Sequence, residues 1–501
     1  MDGLTYALDA VTTPSTVLAA AGGVLWGILG GALPGLSPSI AMALLLPFTF
    51  DMSPLAAIIL LTGVYIGAEY GGSIPAILIR TPGTNAAAAT VIDGYTLHQQ
   101  GRGGEALGLS LVAGTIAGLV GLVCLVLLTA PLSALALYFK PPAYFALAFL
   151  GLSIIAALSE GSLIKGLIMG VIGLMVATVG TDPLSGVTRF TFGEPDLLGG
   201  IDYIFVMLGV FAVAELMSKV AEKDGVEGGA ISKAVARVKL PGLRKLWDLR
   251  RAQAIGTTVG IIEGPIPGAG GTVAAFLSYN EAKRWSKTPE KFGKGSEEGV
   301  VAPEAANNAV TSSALIPTLS FGIPGSNSMA ILLGGLLIHG IQPGPMLLTS
   351  RPDLVYGLFG GLFMSNLFML IFGLLVLGPA IWLVNRPKPY LTAGIFMVVL
   401  SGIYVINQSL FDFWIVLIAG IIGYGMRLLK FPVLPLILGI VLGYMVESNY
   451  RRSLLLTNGE HRVFLENPLS LGLLICAGLI IGLAILSEIR RFRRPGIAAH
   501  G

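Results

Sequence analysis

An apolar stretch from Thr16 to Phe50 is interrupted at its centre by the octapeptide GALPGLSP, residues 31–38. As one helix the stretch would measure about 52 Å at 1.5 Å per residue, far more than a membrane core of about 30 Å. Two complete crossings would need about 40 residues, which is more than the stretch contains. Because proline and glycine break helices, and irregular backbone at membrane depth must be surrounded by protein or water, the stretch predicts a re-entrant hairpin broken at Pro34-Gly35.

The rest of the chain is equally apolar. Hydrophobic residues make up 54% of it and charged residues 12%, with a mean hydropathy of +0.82. Apolar segments of spanning length recur to the end, which predicts an all-α polytopic membrane protein with roughly ten to fourteen membrane segments. Cys124 and Cys476 lie inside apolar runs, so neither a disulfide nor a metal cluster is expected. The net charge of +3 resides in loops, so no nucleic-acid partner is indicated.

Two blocks of sequence occur twice, in the same order. The first hairpin returns as EGPIPGAGG, residues 263–271, which aligns Pro34-Gly35 with Pro267-Gly268. The second block reads SIPAILIRTPGTN at 73–85 and LIPTLSFGIPGSN at 315–327. Both copies have Ile-Pro, six residues, Pro-Gly, a hydroxyl residue and Asn. The recurrence predicts an internally duplicated transporter with four broken helices.

Charges suggest that the two copies are inverted. Lys and Arg favour cytoplasmic loops, and no Lys or Arg precedes Arg80 around the first hairpin. The second hairpin is flanked by basic residues: Lys219, Lys223, Lys233, Arg237, Lys239, Arg244, Lys245, Arg250 and Arg251 before it, and Lys283, Arg284, Lys287, Lys291 and Lys294 after it. We therefore expect a periplasmic N-terminus and, from the Arg490–Arg494 cluster, a cytoplasmic C-terminus. Arg451 and Arg452 oppose this scheme, since they fall in a loop expected outside.

Four consecutive segments follow from these patterns. Residues 1–215 form the first membrane repeat and 216–252 a basic cytoplasmic connector. Residues 253–450 form the second membrane repeat, and 451–501 comprise a periplasmic loop, a last transmembrane helix and a basic cytoplasmic C-terminus.

Broken helices offer a binding site for an anion, because the first N–H groups of a helix lack intrahelical partners and carry partial positive charge. Glycines permit close approach, and hydroxyl and amide side chains add donors. The alternative is that glycine and proline serve only tight packing and kinks. The predicted substrate-binding residues are Pro34, Gly35, Ser37, Thr81, Gly83, Thr84, Asn85, Gly268, Gly270, Asn307, Asn308, Gly325, Ser326 and Asn327.

Charged residues within or beside the apolar segments have two interpretations each. Glu69, Asp93, Glu263 and Glu304 are candidates for binding a coupling cation or proton, or they cap helices and pair locally. Arg80 precedes Pro82-Gly83, and an intramembrane arginine is costly, so it either helps to attract an anion or reaches to the membrane interface.

The motifs GALPGLSP, YGGSIPAILIRTPGTNAAAATVIDGY and APEAANNAVTSSALIPTLSFGIPGS, followed by GIQPGP, resemble TctA, the large membrane subunit of tripartite tricarboxylate transporters. The resemblance extends from the first hairpin to the segments after Pro345. It implies bacterial secondary uptake of organic carboxylates across the inner membrane. It also implies a TctB-like small membrane subunit, a TctC-like periplasmic solute-binding protein, and an elevator mechanism in which a mobile domain carries both hairpins.

The expected function is ion-gradient-driven symport of an organic dicarboxylate or tricarboxylate, with Na⁺ or H⁺ as coupling ion and no cofactor. An anion channel is an alternative, since it would use the same broken helices. An intramembrane enzyme is a second alternative, which the absence from the sequence of an HExxH motif and of a clear Ser/His pairing disfavours.

Overall fold

The computed structural model describes residues 3–34, 36–136, 138–158, 162–182, 185–221, 237–268, 270–384, 396–397 and 409–492. The predicted site residue Gly35 lies outside these ranges. So do Lys223 and Lys233 of the connector and Arg493 and Arg494 of the C-terminal cluster.

Prolines begin three of the six helices in the first part of the chain. Pro14, Pro38 and Pro54 each occupy the first turn of a helix, where the missing N–H is tolerated and the fixed φ angle suits the helix. A 3₁₀ turn, Leu46–Thr49, follows the third helix. The helices are α1 (Gly3–Thr12), α2 (Pro14–Ala32), α3 (Pro38–Leu45), α4 (Pro54–Ile79), α5 (Ala88–Gln99) and α6 (Gly103–Ala136).

The next part of the chain contains a small β-hairpin between apolar helices. Its two strands are antiparallel, with Gly180 opposite Arg189. A 3₁₀ turn (Pro195–Leu197) follows it, and a π-helical stretch (Leu208–Val213) joins the last two helices. The elements are α7 (Pro141–Leu158), α8 (Leu163–Val176), β1 (Gly180–Thr181), β2 (Thr188–Arg189), α9 (Tyr203–Met207) and α10 (Ala214–Ala221).

Shorter helices dominate the third part, which contains the second copies of the repeated blocks. A 3₁₀ turn, Pro289–Lys291, lies in the loop after the second hairpin. The helices are α11 (Leu243–Asp248), α12 (Arg250–Glu263), α13 (Gly270–Trp285), α14 (Glu298–Ser313), α15 (Leu315–Phe321), α16 (Asn327–Ile338), α17 (Leu347–Ser350), α18 (Pro352–Leu375) and α19 (Leu377–Val384). The final helices are α20 (Leu410–Leu428), α21 (Leu434–Leu456), α22 (Val463–Glu466) and α23 (Pro468–Phe492).

Six helices in the described part of the chain are long and apolar enough to cross a membrane: Pro14–Ala32, Pro54–Ile79, Gly103–Leu135, Pro352–Leu375, Leu410–Leu428 and Pro468–Leu486. Shorter apolar helices accompany them, such as Leu163–Val176 and Asn327–Ile338. The prediction of an all-α, multi-pass membrane protein is confirmed.

The chain divides into two compact units, and each unit is discontinuous. The first comprises Met1–Ala134 and Ser218–Gln408, and the second Leu135–Met217 and Ser409–Gly501. Each therefore combines segments from both halves of the sequence, whereas the sequence pattern predicts consecutive repeats. The two divisions differ because the compact units are defined by packing, which brings together residues that are distant in the chain, whereas the repeats are defined by the order of the sequence.

Ion pairs tie the β-hairpin region to α21 within the second unit. Arg451 pairs with Asp182 at 2.6 Å and lies 3.4 Å from Glu447, and Glu447 also pairs with Arg189 at 2.5 Å. Arg451, which opposes the predicted orientation, is thus engaged by two carboxylates. All the predicted site residues belong to the first unit.

Candidate substrate and ion site at four helix breaks

Each of the four Pro-Gly positions lies between two helices. The chain leaves α2 at Ala32 and enters α3 at Pro38, and it leaves α4 at Ile79 and enters α5 at Ala88. In the second copy, α12 ends at Glu263 before α13 begins at Gly270, and α15 ends at Phe321 before α16 begins at Asn327. The predicted interruptions of the helices are confirmed. We call them breaks 1 to 4 in chain order.

Glycines on α2 bring its backbone into contact with that of α4. A Cβ atom at Gly23, Gly27 or Gly31 would lie less than 3.0 Å from a carbonyl oxygen of α4, closer than real Cβ atoms approach. Small residues at such an interface let two helices pack backbone to backbone. The oxygens belong to Leu60, Val64 and Ala68, one turn apart.

The same register recurs between α12 and α14. A Cβ at Gly256 or Gly260 would lie less than 3.0 Å from a carbonyl oxygen of Ala302 or Ala306. When Pro34 is aligned with Pro267 and Pro82 with Pro324, each of these contacts corresponds to one in the first copy. Gly23 and Gly27 align with Gly256 and Gly260, and Leu60 and Val64 align with Ala302 and Ala306.

The Pro-Gly loops also pack in matching ways. A Cβ at Gly83 of break 2 would lie less than 3.0 Å from the carbonyl oxygen of Gly31 and 2.8 Å from Cα of Gly72. A Cβ at Gly325 of break 4 would lie 2.7 Å from the carbonyl oxygen of Gly264. Under the same alignment Gly31 corresponds to Gly264. Breaks 3 and 4 are joined directly, because the Gly268 N–H donates to the Gly325 carbonyl at 3.0 Å.

Hydroxyl side chains accept hydrogen bonds from backbone N–H groups at breaks 1, 2 and 4. Thr84 Oγ1 accepts from the Ala87 N–H, and Ser326 Oγ accepts from the Met329 N–H, both at 3.3 Å. In break 1, Ser37 Oγ likewise accepts from the Ile40 N–H at 3.4 Å. Ser37 and Ser326 thereby cap α3 and α16, whereas the Thr84 bond lies in the turn before α5. The predicted residues Asn85 and Asn327, which follow Thr84 and Ser326, have exposed side chains.

Glu69 and Asn307 form the centre of the site. Asn307 Nδ2 donates to Glu69 Oε2 at 3.0 Å, and both side chains are buried. The Thr84 side chain also interacts with Glu69. Asn307 Oδ1 has no hydrogen-bond partner among the residues that the structure describes, and it faces Gly271, at the start of α13. The two predicted groups from different copies are thus in contact, beside residues of breaks 2 and 3.

Ser326 of break 4 lies in the same region, because its side chain interacts with that of Tyr65. Tyr65 lies one turn before Glu69 on α4, so its hydroxyl and the Glu69 carboxylate occupy one face of that helix. Sequence reasoning missed Tyr65 because an apolar helix rich in aromatic residues gives no local sign that one hydroxyl faces a polar partner.

Glu304 lies in a second buried polar cluster. Thr90 Oγ1 donates to one of its carboxylate oxygens, and Ser110 Oγ donates to the other at 2.9 Å. Ser73 Oγ lies 2.8 Å from Ser110 Oγ. Sequence reasoning missed these three hydroxyl residues, although Ser73 belongs to a repeated block. Neither Glu69 nor Glu304 forms an ion pair with a basic side chain in the part of the chain that the structure describes.

Asp93 is engaged by four neutral donors. Its Oδ1 accepts from the N–H groups of Gly293, Gly295 and Ser296 at 2.9, 2.8 and 2.7 Å. Its Oδ2 accepts from the Tyr279 hydroxyl at 2.8 Å. Gly293 and Gly295 have φ angles of 82° and 94°, which glycine adopts without strain. Asp93 therefore links α5 to α13 and to the loop after α13 through hydrogen bonds.

The remaining predicted residues lie near the breaks with fewer contacts. Asn308 donates to the Glu304 carbonyl of its own helix at 2.9 Å, and its buried Oδ1 has no partner in the described part of the chain. Glu263 is half-buried at the end of α12. Gly268 and Gly270 have φ angles of 88° and 59°, which glycine adopts without strain. No group of three or more His, Cys, Asp and Glu side chains suited to a metal ion occurs among the described residues.

Comparison with known proteins agrees with the resemblance noted from the motifs. The family model described as the tripartite tricarboxylate transporter TctA family matches residues 17–438. A relative from Agrobacterium vitis, called "Uncharacterized 52.8 kDa protein in TAR-I ttuC' 3'region", is 38% identical over 496 residues, 98% of each chain.

A second protein of that organism, "Uncharacterized protein in TAR-II ttuC' 3'region", is 36% identical over 234 residues, which cover 47% of this chain and 97% of the relative. No solved structure matches. Because the family model spans most of the sequence, the chain belongs to the tripartite tricarboxylate transporter TctA family.

Proposed function

We propose that this chain is the large membrane subunit of a tripartite carboxylate uptake system in a bacterial inner membrane. In this proposal it performs symport of an organic dicarboxylate or tricarboxylate, driven by a gradient of Na⁺ or H⁺. A TctC-like periplasmic protein delivers the substrate, and a TctB-like small membrane subunit accompanies the chain. Family membership supports a tripartite system in general, and the geometry of the breaks supports a site for an anion and a cation.

The matching contacts of the two copies are the observation that carries the proposal. Gly83 packs on Gly31 as Gly325 packs on Gly264, so each copy presents a Pro-Gly loop followed by a hydroxyl that accepts a backbone N–H and by an exposed amide. Such loops offer N–H and amide donors to a carboxylate. The basic residues that flank only the second hairpin support an inverted relation between the copies, which is the arrangement of many transporters with a site at the midplane.

Two buried carboxylates support cation coupling. Glu69 and Glu304 receive hydrogen bonds from neutral donors, and a buried charge without a counterion is costly. A bound Na⁺ or a proton would neutralise that charge and offset the charge of the substrate. Compensation matters because one charge moved across the membrane costs about 2.3 kcal/mol per 100 mV.

Motion of the two hairpins as one mobile domain completes the proposal. The first hairpin packs on α4 through the glycines of α2, and α4 leads through break 2 to α5. The hydrogen bonds of Asp93 and the apolar cluster of Ala86, Ala89 and Ala275 join α5 and the loop before it to α13 of the second hairpin. Hairpins connected through these helices are suited to move together, as an elevator mechanism requires.

Reconstitution tests the function directly. Proteoliposomes that contain the chain and its small membrane partner, with the binding protein outside, are supplied with a panel of carboxylates under imposed Na⁺ or pH gradients. Accumulation above equilibrium with one of the gradients supports symport. Flux that only equilibrates the substrate would indicate the channel, and chemical conversion of the substrate would indicate the enzyme.

A further inference from the structure

Arg80 ends α4 in a left-handed conformation, with φ 61° and ψ 20°. Gly322 ends α15 in nearly the same conformation, with φ 72° and ψ 22°. The two residues align in the repeated blocks, two positions before Pro-Gly. Their backbone bonds also match, since the Thr81 N–H donates to the Pro75 carbonyl and the Ile323 N–H donates to the Pro317 carbonyl, both at 3.3 Å.

The second copy shows what this backbone position prefers. A helix that ends in the left-handed region usually has glycine there, because a Cβ is unfavourable in that conformation. Gly322 follows the rule and Arg80 does not. The turn would form more readily with glycine at position 80, so the fold does not explain the arginine.

The charge of Arg80 is unusual in its surroundings. It is the first Lys or Arg in the sequence, and the next is Arg102. Its side chain is exposed and forms no ion pair with the described residues. Arg80 directly precedes the loop that contains the exposed Asn85, whereas the matching loop with Asn327 has no cation at this position.

We infer that Arg80 binds one carboxylate of the transported substrate and makes the site selective for anions with two or more carboxylates. This inference rests on the proposed function. A guanidinium matches a carboxylate with two parallel hydrogen bonds. The charged loop of break 2 takes one carboxylate in this way, and the neutral donors of break 4 take another. A monocarboxylate leaves one loop empty and binds more weakly.

A lipid phosphate is the other anion that a guanidinium near a membrane meets. In that case Arg80 anchors α4 at the headgroups. Its removal would then change the dependence on anionic lipid and leave the affinity for substrate unaltered.

The test uses the reconstituted complex with Arg80→Gln, which removes the charge, Arg80→Lys, which keeps it, and Arg80→Gly, which restores the residue of the second copy. Lys430→Gly is the matched control, because Lys430 is exposed, has φ 53°, and follows α20 in the other unit. The readouts are KM for matched monocarboxylates, dicarboxylates and tricarboxylates, in vesicles with and without anionic lipid. The melting temperature of the purified chain, with and without each acid, is measured in parallel.

For Arg80→Gln and Arg80→Gly we expect KM for polycarboxylates to rise about tenfold, as loss of a charge-assisted hydrogen bond does, with little change for monocarboxylates. Arg80→Lys should retain part of the selectivity. Without ligand, Arg80→Gly and Lys430→Gly should melt at the same or a higher temperature than the wild type, and Lys430→Gly should leave KM unchanged.

Unaltered KM values in Arg80→Gln and Arg80→Gly would overturn the inference and leave the proposed function standing. A change that appears only as altered dependence on anionic lipid would also overturn it. If polycarboxylates raise the melting temperature of the wild type and not of Arg80→Gln, and yet no gradient drives accumulation, the inference stands and the proposed symport fails.

Discussion

Gly83 lies against the carbonyl oxygen of Gly31, so close that a Cβ at position 83 would be less than 3.0 Å from it. Gly325 meets the carbonyl oxygen of Gly264 in the corresponding way, with 2.7 Å for its Cβ position. In both copies the Pro-Gly loop contacts the C-terminal end of the helix that forms the first arm of the preceding hairpin. That helix is α2 for Gly83 and α12 for Gly325. The position of each loop therefore depends on the absence of a side chain.

We predict that Gly83→Ala destabilises the chain by about 1–3 kcal/mol, the usual cost of forcing atoms into a packed site. The neighbours are backbone atoms, which move less easily than the end of a side chain. Uptake should fall as well, because the loop must shift. Gly478→Ala is the control, since a Cβ there meets nothing within 4 Å. Melting temperatures of the two purified variants decide the prediction, and equal values would contradict it.

Asn85→Ala and Asn327→Ala should lower uptake without preventing membrane insertion. Both side chains are exposed at matching positions, so their loss leaves the packing intact. Initial rates of carboxylate uptake, normalised to the amount of protein in the membrane, measure the effect. Unchanged kinetics in both variants would remove these amides from the site.

Glu69→Gln and Glu304→Gln should uncouple transport of the substrate from the Na⁺ or H⁺ gradient. The amide preserves most of the volume and removes the charge that a cation would neutralise. We expect accumulation driven by Na⁺ or pH to be lost in at least one variant, while exchange of labelled for unlabelled substrate continues. Gradient-driven accumulation equal to that of the wild type in both variants would exclude these carboxylates from coupling.

Asp93→Ala should be among the more destabilising single changes in the first unit. It leaves the buried Ser296 N–H, the buried Tyr279 hydroxyl and the N–H groups of Gly293 and Gly295 without their acceptor, and one unsatisfied buried group costs about 1–3 kcal/mol. Asp93→Asn retains an oxygen for the amides and should cost less. If Asp93 bound the coupling ion instead, Asp93→Asn would alter the ion dependence of uptake and leave the melting temperature unchanged.

Local sequence predicted the helix breaks correctly because proline and glycine act on their own turn of the chain. The breaks at Pro34, Pro82, Pro267 and Pro324 all lie between helices. The matching register of glycines against α4 and α14 accompanies the recurrence of the sequence blocks, although only the structure gives the contacts. The all-α membrane class also follows directly from the long apolar segments.

Contacts between distant residues were beyond the reach of the sequence. Asp93 was identified as an acid in an apolar region, but three of its four donors are backbone N–H groups more than a hundred residues away, which any residue type can supply. The role of Ser110 was equally unpredictable. The residues next to it in the sequence do not mark it as a polar site, and its hydroxyl contacts Glu304 only in the folded chain. The discontinuous units likewise arise from packing.

The glycine register of α2 and α12 has a genetic consequence. Every missense change of a glycine codon introduces a Cβ, so no amino acid replacement at Gly23, Gly27, Gly256 or Gly260 preserves the spacing between the paired helices. In a saturation library selected for growth on the transported acid, these four codons should lose nearly all replacements. Glycines of α23 at which an added Cβ would meet nothing within 4 Å, such as Gly478 and Gly482, should accept many.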